Sequence, residues 1–187
     1  MSLKIIKYLG IMALLLSLIL LWDYPGRGQQ EPSQTTQKSS QKVKDRFVGT
    51  WKLVSWEMQR SNGEKIQPPF GQDATGWIMY DANGHMCVQI MRPNRTKFSS
   101  DNLLEGGTPE EKKAAYEGYI AYCSTYTVNE EEGFVIHHIE LSLFPNWLGM
   151  DQKRFFEFSG DRLTLRPPPF LYAGEQATAR LTWERLK

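Results

Sequence analysis

The chain has 187 residues, 41% hydrophobic and 12% aromatic, enough for one domain with a sizeable core plus appendages. A formal net charge of +1, with no basic stripe interleaved with aromatics, argues against a nucleic-acid partner.

Residues 1–25 read as an export signal or membrane anchor. Lys4 and Lys7 precede an almost wholly apolar run from Leu9 to Trp22, the charge-then-apolar layout of exported proteins. Gly26-Arg27-Gly28 offers small residues for cleavage, in poor context beside Pro25. Left uncut, residues 5–22 would form a marginal tether, since a spanning helix needs roughly 20 apolar residues. No Cys follows the run, which excludes a bacterial lipoprotein. The expected destination is beyond the inner membrane: periplasmic, secreted or N-terminally anchored. Residues 26–45 are Gln, Ser, Thr, Lys and Glu with hardly an apolar side chain. Such a stretch buries too little surface to offset its ordering entropy, so it reads as a flexible linker.

The folded domain is expected over 46–187. Thr50–Glu57 alternates, with Trp51, Leu53 and Ser55 on one face and Val54 and Trp56 on the other. Asn62-Gly63 is a hairpin-type turn. Gly76–Tyr80, the turn Asp81-Ala82-Asn83-Gly84 and the returning strand His85–Arg92 form one of the clearest local signals. Residues 93–107 are loop. Thr108-Pro109-Glu110-Glu111 starts a helix: Thr108 caps, Pro109 suits the first position and Glu111 completes a capping box. The helix ends near Gly118. Strands follow over Tyr119–Val128, Val135–Phe144, Gln152–Phe158, Leu163–Arg166 and Ala179–Leu186, with Pro167–Pro169 as extended loop. About eight strands and one short helix, evenly punctuated by turns, predict an all-β, closed antiparallel barrel.

Cys87 and Cys123 could form one disulfide in an exported protein. Their spacing matches no disulfide or metal pattern, which favours two buried small hydrophobes.

Polar residues cluster from His137 to Phe156. A two-residue period puts His138, Glu140 and Ser142 on one strand face, and Gln152 and Arg154 together on the next strand. Val135, Ile139, Leu141 and Leu143, with His137, form the opposite apolar face. We assign the polar set inward, an assignment that a one-residue β-bulge would reverse. Inside a barrel, Glu140 can bias His138 toward its charged form, Arg154 can hold an oxyanion or carboxylate, and Gln152 can fix a carbonyl. The candidate ligand-binding set is therefore His138, Glu140, Gln152, Arg154, Tyr80, Gln89 and Tyr122, with Tyr119 a further hydroxyl. His138, Glu140 and Arg154 are the catalytic candidates. A zinc site would require His85 to meet His138 and Glu140, because His137 and His138 point to opposite faces; no metal and no cofactor is assigned. Phe144, Pro145 and Trp147 are expected in a loop at one barrel mouth.

Gly49-Thr50-Trp51 at the first strand and Trp183-Glu184-Arg185 at the last resemble the lipocalin pattern. That resemblance implies a first-strand Trp across the barrel floor with a late Arg packed over it. The finer resemblance is to the lipocalin-like domain family, small bacterial and fungal proteins distinct from the lipocalins proper. It is carried by Phe47–Glu57, Gly84–Pro93, Gly107–Glu111 with Gly118–Tyr122, the His137–Phe156 segment, Gly160–Leu165 and Trp183–Arg185. The family implies a small calycin-type barrel and no general activity.

The leading expectation is an exported or tethered barrel that binds a small lipophilic molecule. A cofactor-independent isomerase, cyclase or dehydratase using His138, Glu140 and Arg154 is the rival. A structural cell-envelope domain with a filled barrel is the third.

Overall fold

The computed structural model describes residues 42–187; the expected export segment and most of the expected linker lie outside the described residues. No helix among the described residues is long and apolar enough to cross a membrane.

Residues 42–47 are helical (α1), so the end of the expected linker belongs to the folded unit. The reason is Phe47, which is fully buried and pins this turn to the core. The strands follow as β1 (Gly49–Arg60), β2 (Lys65–Ile66), β3 (Thr75–Tyr80) and β4 (His85–Met91). After α2 (Pro109–Glu117) come β5 (Tyr119–Asn129), β6 (Phe134–Ser142), a 3₁₀ turn (Pro145–Trp147), β7 (Asp151–Ser159), β8 (Arg162–Arg166), β9 (Phe170–Tyr172) and β10 (Glu175–Arg185). All pairings are antiparallel, in the order β2-β1-β3-β4-β5-β6-β7-β8-β10-β9. A further β1–β10 pairing closes eight of them into a barrel, leaving the short β2 and β9 as additions. Both additions escape a reading based on alternation because each is too short to show it. β9 follows the prolines and pairs on one side only, with β10.

Local chemistry explains the punctuation. In α2 the Glu111 N–H donates to Thr108 Oγ1 at 3.2 Å and the Thr108 N–H donates to Glu111 Oε2 at 2.8 Å, the reciprocal capping box. At the β3–β4 turn the His85 N–H donates to the Asp81 carboxylate at 2.8 Å, and Gly84 takes a φ of 97° that a side chain would resist. The β4 and β5 cysteines, Cys87 and Cys123, face one another and form a disulfide. The expectation of two separate thiols is thereby corrected: linear spacing does not register that these positions are direct cross-strand partners.

Two β-bulges decide which side chains enter the barrel. Between Leu53 and Ser55 the β1–β10 register shifts at Val54. Trp51 and Leu53 face inward before the shift and Trp56 and Met58 after it, so strict alternation along this strand fails. In β6 the register with β5 shifts at Glu140, between Leu141 opposite Cys123 and Ile139 opposite Ser124.

The core is densest at one end. The Phe47 ring contacts Tyr80, Tyr126, Phe156 and Phe158 at centroid distances of 4.9–6.3 Å. The Trp51 Nε1–H donates to the Phe47 carbonyl at 2.8 Å. The Arg185 guanidinium lies over the Trp51 ring, as the lipocalin resemblance implied. α1 and Arg185 together shut this end.

Candidate functional site

The barrel interior holds one buried histidine, His137, flanked on β6 by inward-facing Val135 and Ile139. Its Nε2 lies 2.9 Å from the Tyr80 hydroxyl and its Nδ1 lies 3.0 Å from the Tyr122 hydroxyl. Burial, then the Arg154 charge and then His138 hold its pKa well below the usual value, so the ring is neutral. Burial likewise raises both tyrosines, which stay protonated. A neutral imidazole has one donor and one acceptor nitrogen. One tyrosine therefore donates to the ring, and the other receives the ring N–H and keeps its own proton for another acceptor.

β7 completes the arrangement. Gln152 pairs with His137 and Arg154 with Val135, so both share the inward face. Arg154 Nη1 donates to Gln152 Oε1 at 3.3 Å and to the Lys153 carbonyl at 2.8 Å. The guanidinium is close enough to Tyr122 to favour its ionised form, against the larger effect of burial. Ser124, on the same face of β5 as Tyr122, is buried with its hydroxyl unpartnered. Trp147 sits edge-on to Tyr122 at 5.7 Å, and Trp56 meets Phe70 at 5.5 Å. Trp56, Trp147 and Phe156 pack on the core yet stay partly exposed. The polar group thus runs from Tyr80, which touches Phe47 at the shut end, to Tyr122, which meets Trp147. Beside Trp56, a cleft of ≈ 700 Å³ is lined by Met58, Ile66, Phe155, Pro167 and Ala179 among others. It is not lined by His137 or Arg154.

The sequence-expected residues divide. Tyr80, Tyr122, Gln152 and Arg154 meet around His137. His138 does not: it faces outward, its Nδ1 2.7 Å from Asp151 Oδ1 and its Nε2 3.0 Å from Thr127 Oγ1. Glu140 is the exposed bulge residue. The bulge does reverse the faces, but only beyond His138: Leu141 opposite Cys123 is turned out and 67% exposed, while Ser142 opposite Tyr122 is turned in. The inward placement of His138 and Glu140 is corrected accordingly, and His138, Glu140 and Arg154 do not form a catalytic set. Gln89 also faces out, bonded to the Tyr119 hydroxyl. His85 pairs with Asp81 on the hairpin, and no three-ligand metal cluster forms among the described residues. His137 is the functional residue outside the expected set, and its place on the apolar face with Val135 and Ile139 is the sequence signal that it is buried.

The fold agrees with two comparisons. A family model described as the lipocalin-like domain matches residues 48–186. A protein of Aspergillus oryzae (strain ATCC 42149 / RIB 40), named "4'-hydroxy-3'-methoxypropiophenone carrier protein ppsC", is 34% identical over 108 residues, 54% of this chain and 96% of the relative. With the family match spanning the whole barrel, from the strand of Trp51 to that of Arg185, the chain belongs to the lipocalin-like domain family.

Proposed function

We propose that this protein is a carrier that holds a small lipophilic molecule inside its barrel. The observation that carries the reading is the convergence of polar side chains inside an aromatic-rich barrel. A polar group of Tyr80, Tyr122, His137, Gln152 and Arg154 stands on the inward face, and the partly exposed Trp147 lies edge-on to Tyr122. Apolar walls with a few convergent polar groups are the usual make-up of a small-molecule site. The fungal relative's name supports a carrier role and points to an oxygenated aromatic as the ligand class. We further propose that the chain works beyond the inner membrane, exported or tethered through residues 5–22. The basic-then-apolar start of the sequence supports this, and so does the Cys87–Cys123 disulfide, a bond that persists in oxidising compartments.

The test is native mass spectrometry of the full chain purified from its host's envelope fraction. A retained small lipophilic mass, diminished in a Trp147→Ala variant, is the expected result. No bound mass and no thermal shift after exposure to host lipid extract would overturn the carrier reading.

A further inference from the structure

Among the described residues Arg154 is a cation without a counter-ion. Among the described residues no carboxylate lies within 4.0 Å of its guanidinium, whereas the half-buried Arg60 and Arg166 meet Glu175 and Glu157 respectively. Its hydrogen bonds to Gln152 and the Lys153 carbonyl both use Nη1. The guanidinium also reaches the Tyr122 hydroxyl; of its five N–H donors some remain over, and a guanidinium with donors to spare is suited to a carboxylate.

The neighbours supply no negative charge either. His137 is neutral, and Tyr80 and Tyr122 are protonated. One of the two tyrosine hydroxyls has a proton to give away, as the imidazole donor count requires. The calyx therefore offers a fixed positive charge and spare donors. A partly desolvated cation is stabilised when a partner supplies the opposite charge. Nearby, Trp147 lies edge-on to Tyr122, and Phe156 shares the inward face of β7 with Arg154, aromatic surface suited to a flat apolar body.

We propose that the calyx ligand is an aromatic anion: a flat apolar body ending in one ionised oxygen acid, a carboxylate or an acidic phenol, seated on the Arg154 guanidinium. This rests on the carrier reading and narrows it.

The test is a tryptophan-fluorescence titration of the full chain with two matched pairs. One pair is trans-cinnamate and methyl cinnamate. The other is 4-hydroxyacetophenone and 4-methoxyacetophenone, titrated above the phenol's own pKa. The expected result is that at least one anion binds roughly tenfold or more tighter than its neutral partner, the scale of a hydrogen-bonded charge contact. Preference confined to cinnamate assigns a carboxylate, and preference confined to the hydroxy ketone assigns a phenolate. Arg154→Met should erase the ratio, and Arg154→Lys should keep part of it, as a point charge without the fork. Should Arg154→Met fail to fold, the wild-type and Arg154→Lys ratios decide. Equal binding of anion and neutral partner by the wild type would overturn the anion inference and leave the carrier reading standing. No binding of any of the four would overturn both.

Discussion

The guanidinium of Arg185 lies 4.0 Å from the ring centroid of Trp51, stacking the end of the last strand on the start of the first. The same guanidinium donates to the carbonyls of Val48 and Arg46, so it also ties down the entry to β1. Gly49 makes room for it: a Cβ there would come within 2.6 Å of Arg185 Nη1, at a φ of +134°. Arg185→Met should cost about 1–3 kcal/mol of stability, from a cation–π contact and charged hydrogen bonds. Gly49→Ala should cost a similar amount, and the double variant less than the sum, because both disturb one contact. Urea denaturation of the three variants measures this, and strict additivity would refute the shared mechanism.

His137 should give the protein a stability slope on the acid side of neutrality. Its folded pKa is depressed below the unfolded value. Below roughly pH 6.5 the unfolded chain binds a proton that the folded chain refuses, so stability falls as pH falls and levels off above that point. The slope approaches about 1.4 kcal/mol per pH unit for one proton. Asp81 and Glu111 have depressed carboxyl pKa values, so the stability they add is lost only as pH falls below their ordinary carboxylate range. Their window is separate from that of His137. His137→Gln keeps one donor and one acceptor for the tyrosines and should abolish the slope between pH 5 and about 6.5. Denaturant midpoints across that range decide the matter.

The disulfide closes a loop of 36 residues. In the chain-entropy account its reduction should cost roughly 3–4 kcal/mol. Cys87 and Cys123 lie on the outer side of β4 and β5, facing away from Tyr122. Dithiothreitol should therefore lower the urea midpoint while the folded fraction keeps its ligand affinity. A calorimetric titration with and without reductant tests both halves.

Thr108→Ala removes one half of the capping box and should loosen α2 by about 1 kcal/mol. None of α2's residues is buried, so the effect should stay local. Amide exchange should accelerate in α2 and remain unchanged in β3 and β4; acceleration throughout the barrel would contradict this.

Much of the barrel was legible in the sequence because its signals are local. The Asp81–Gly84 turn, the Thr108 cap and the alternation of β4 each depend on residues a few positions apart. The site was half legible. Gln152 and Arg154 share a face simply because they are two apart on an unbulged strand. The bulges at Val54 and Glu140 carry no glycine or proline to mark them, and they decide whether Trp56, Leu141 and Ser142 point in or out. The partners of His137 sit 57 and 15 residues away, so its hydrogen bonds have no sequence pattern. A polar side chain amid apolar neighbours at period two announces burial, but not what satisfies it.

The seam between β1 and β10 sets the order in which this molecule can be finished. β1 leaves the ribosome well before its partner, because a long stretch of it, Trp51–Arg60, is paired with Ala177–Arg185 at the other end of the domain. Until those last residues arrive, β1 keeps an open edge of N–H and C=O groups, and so does β8, whose other neighbour is also β10. Closure therefore comes last and spans nearly the whole domain, a contact of high sequence separation that slows folding. A ribosome stalled short of Glu175 would leave a chain with most of its strands and two sticky borders, a substrate for chaperones rather than a barrel.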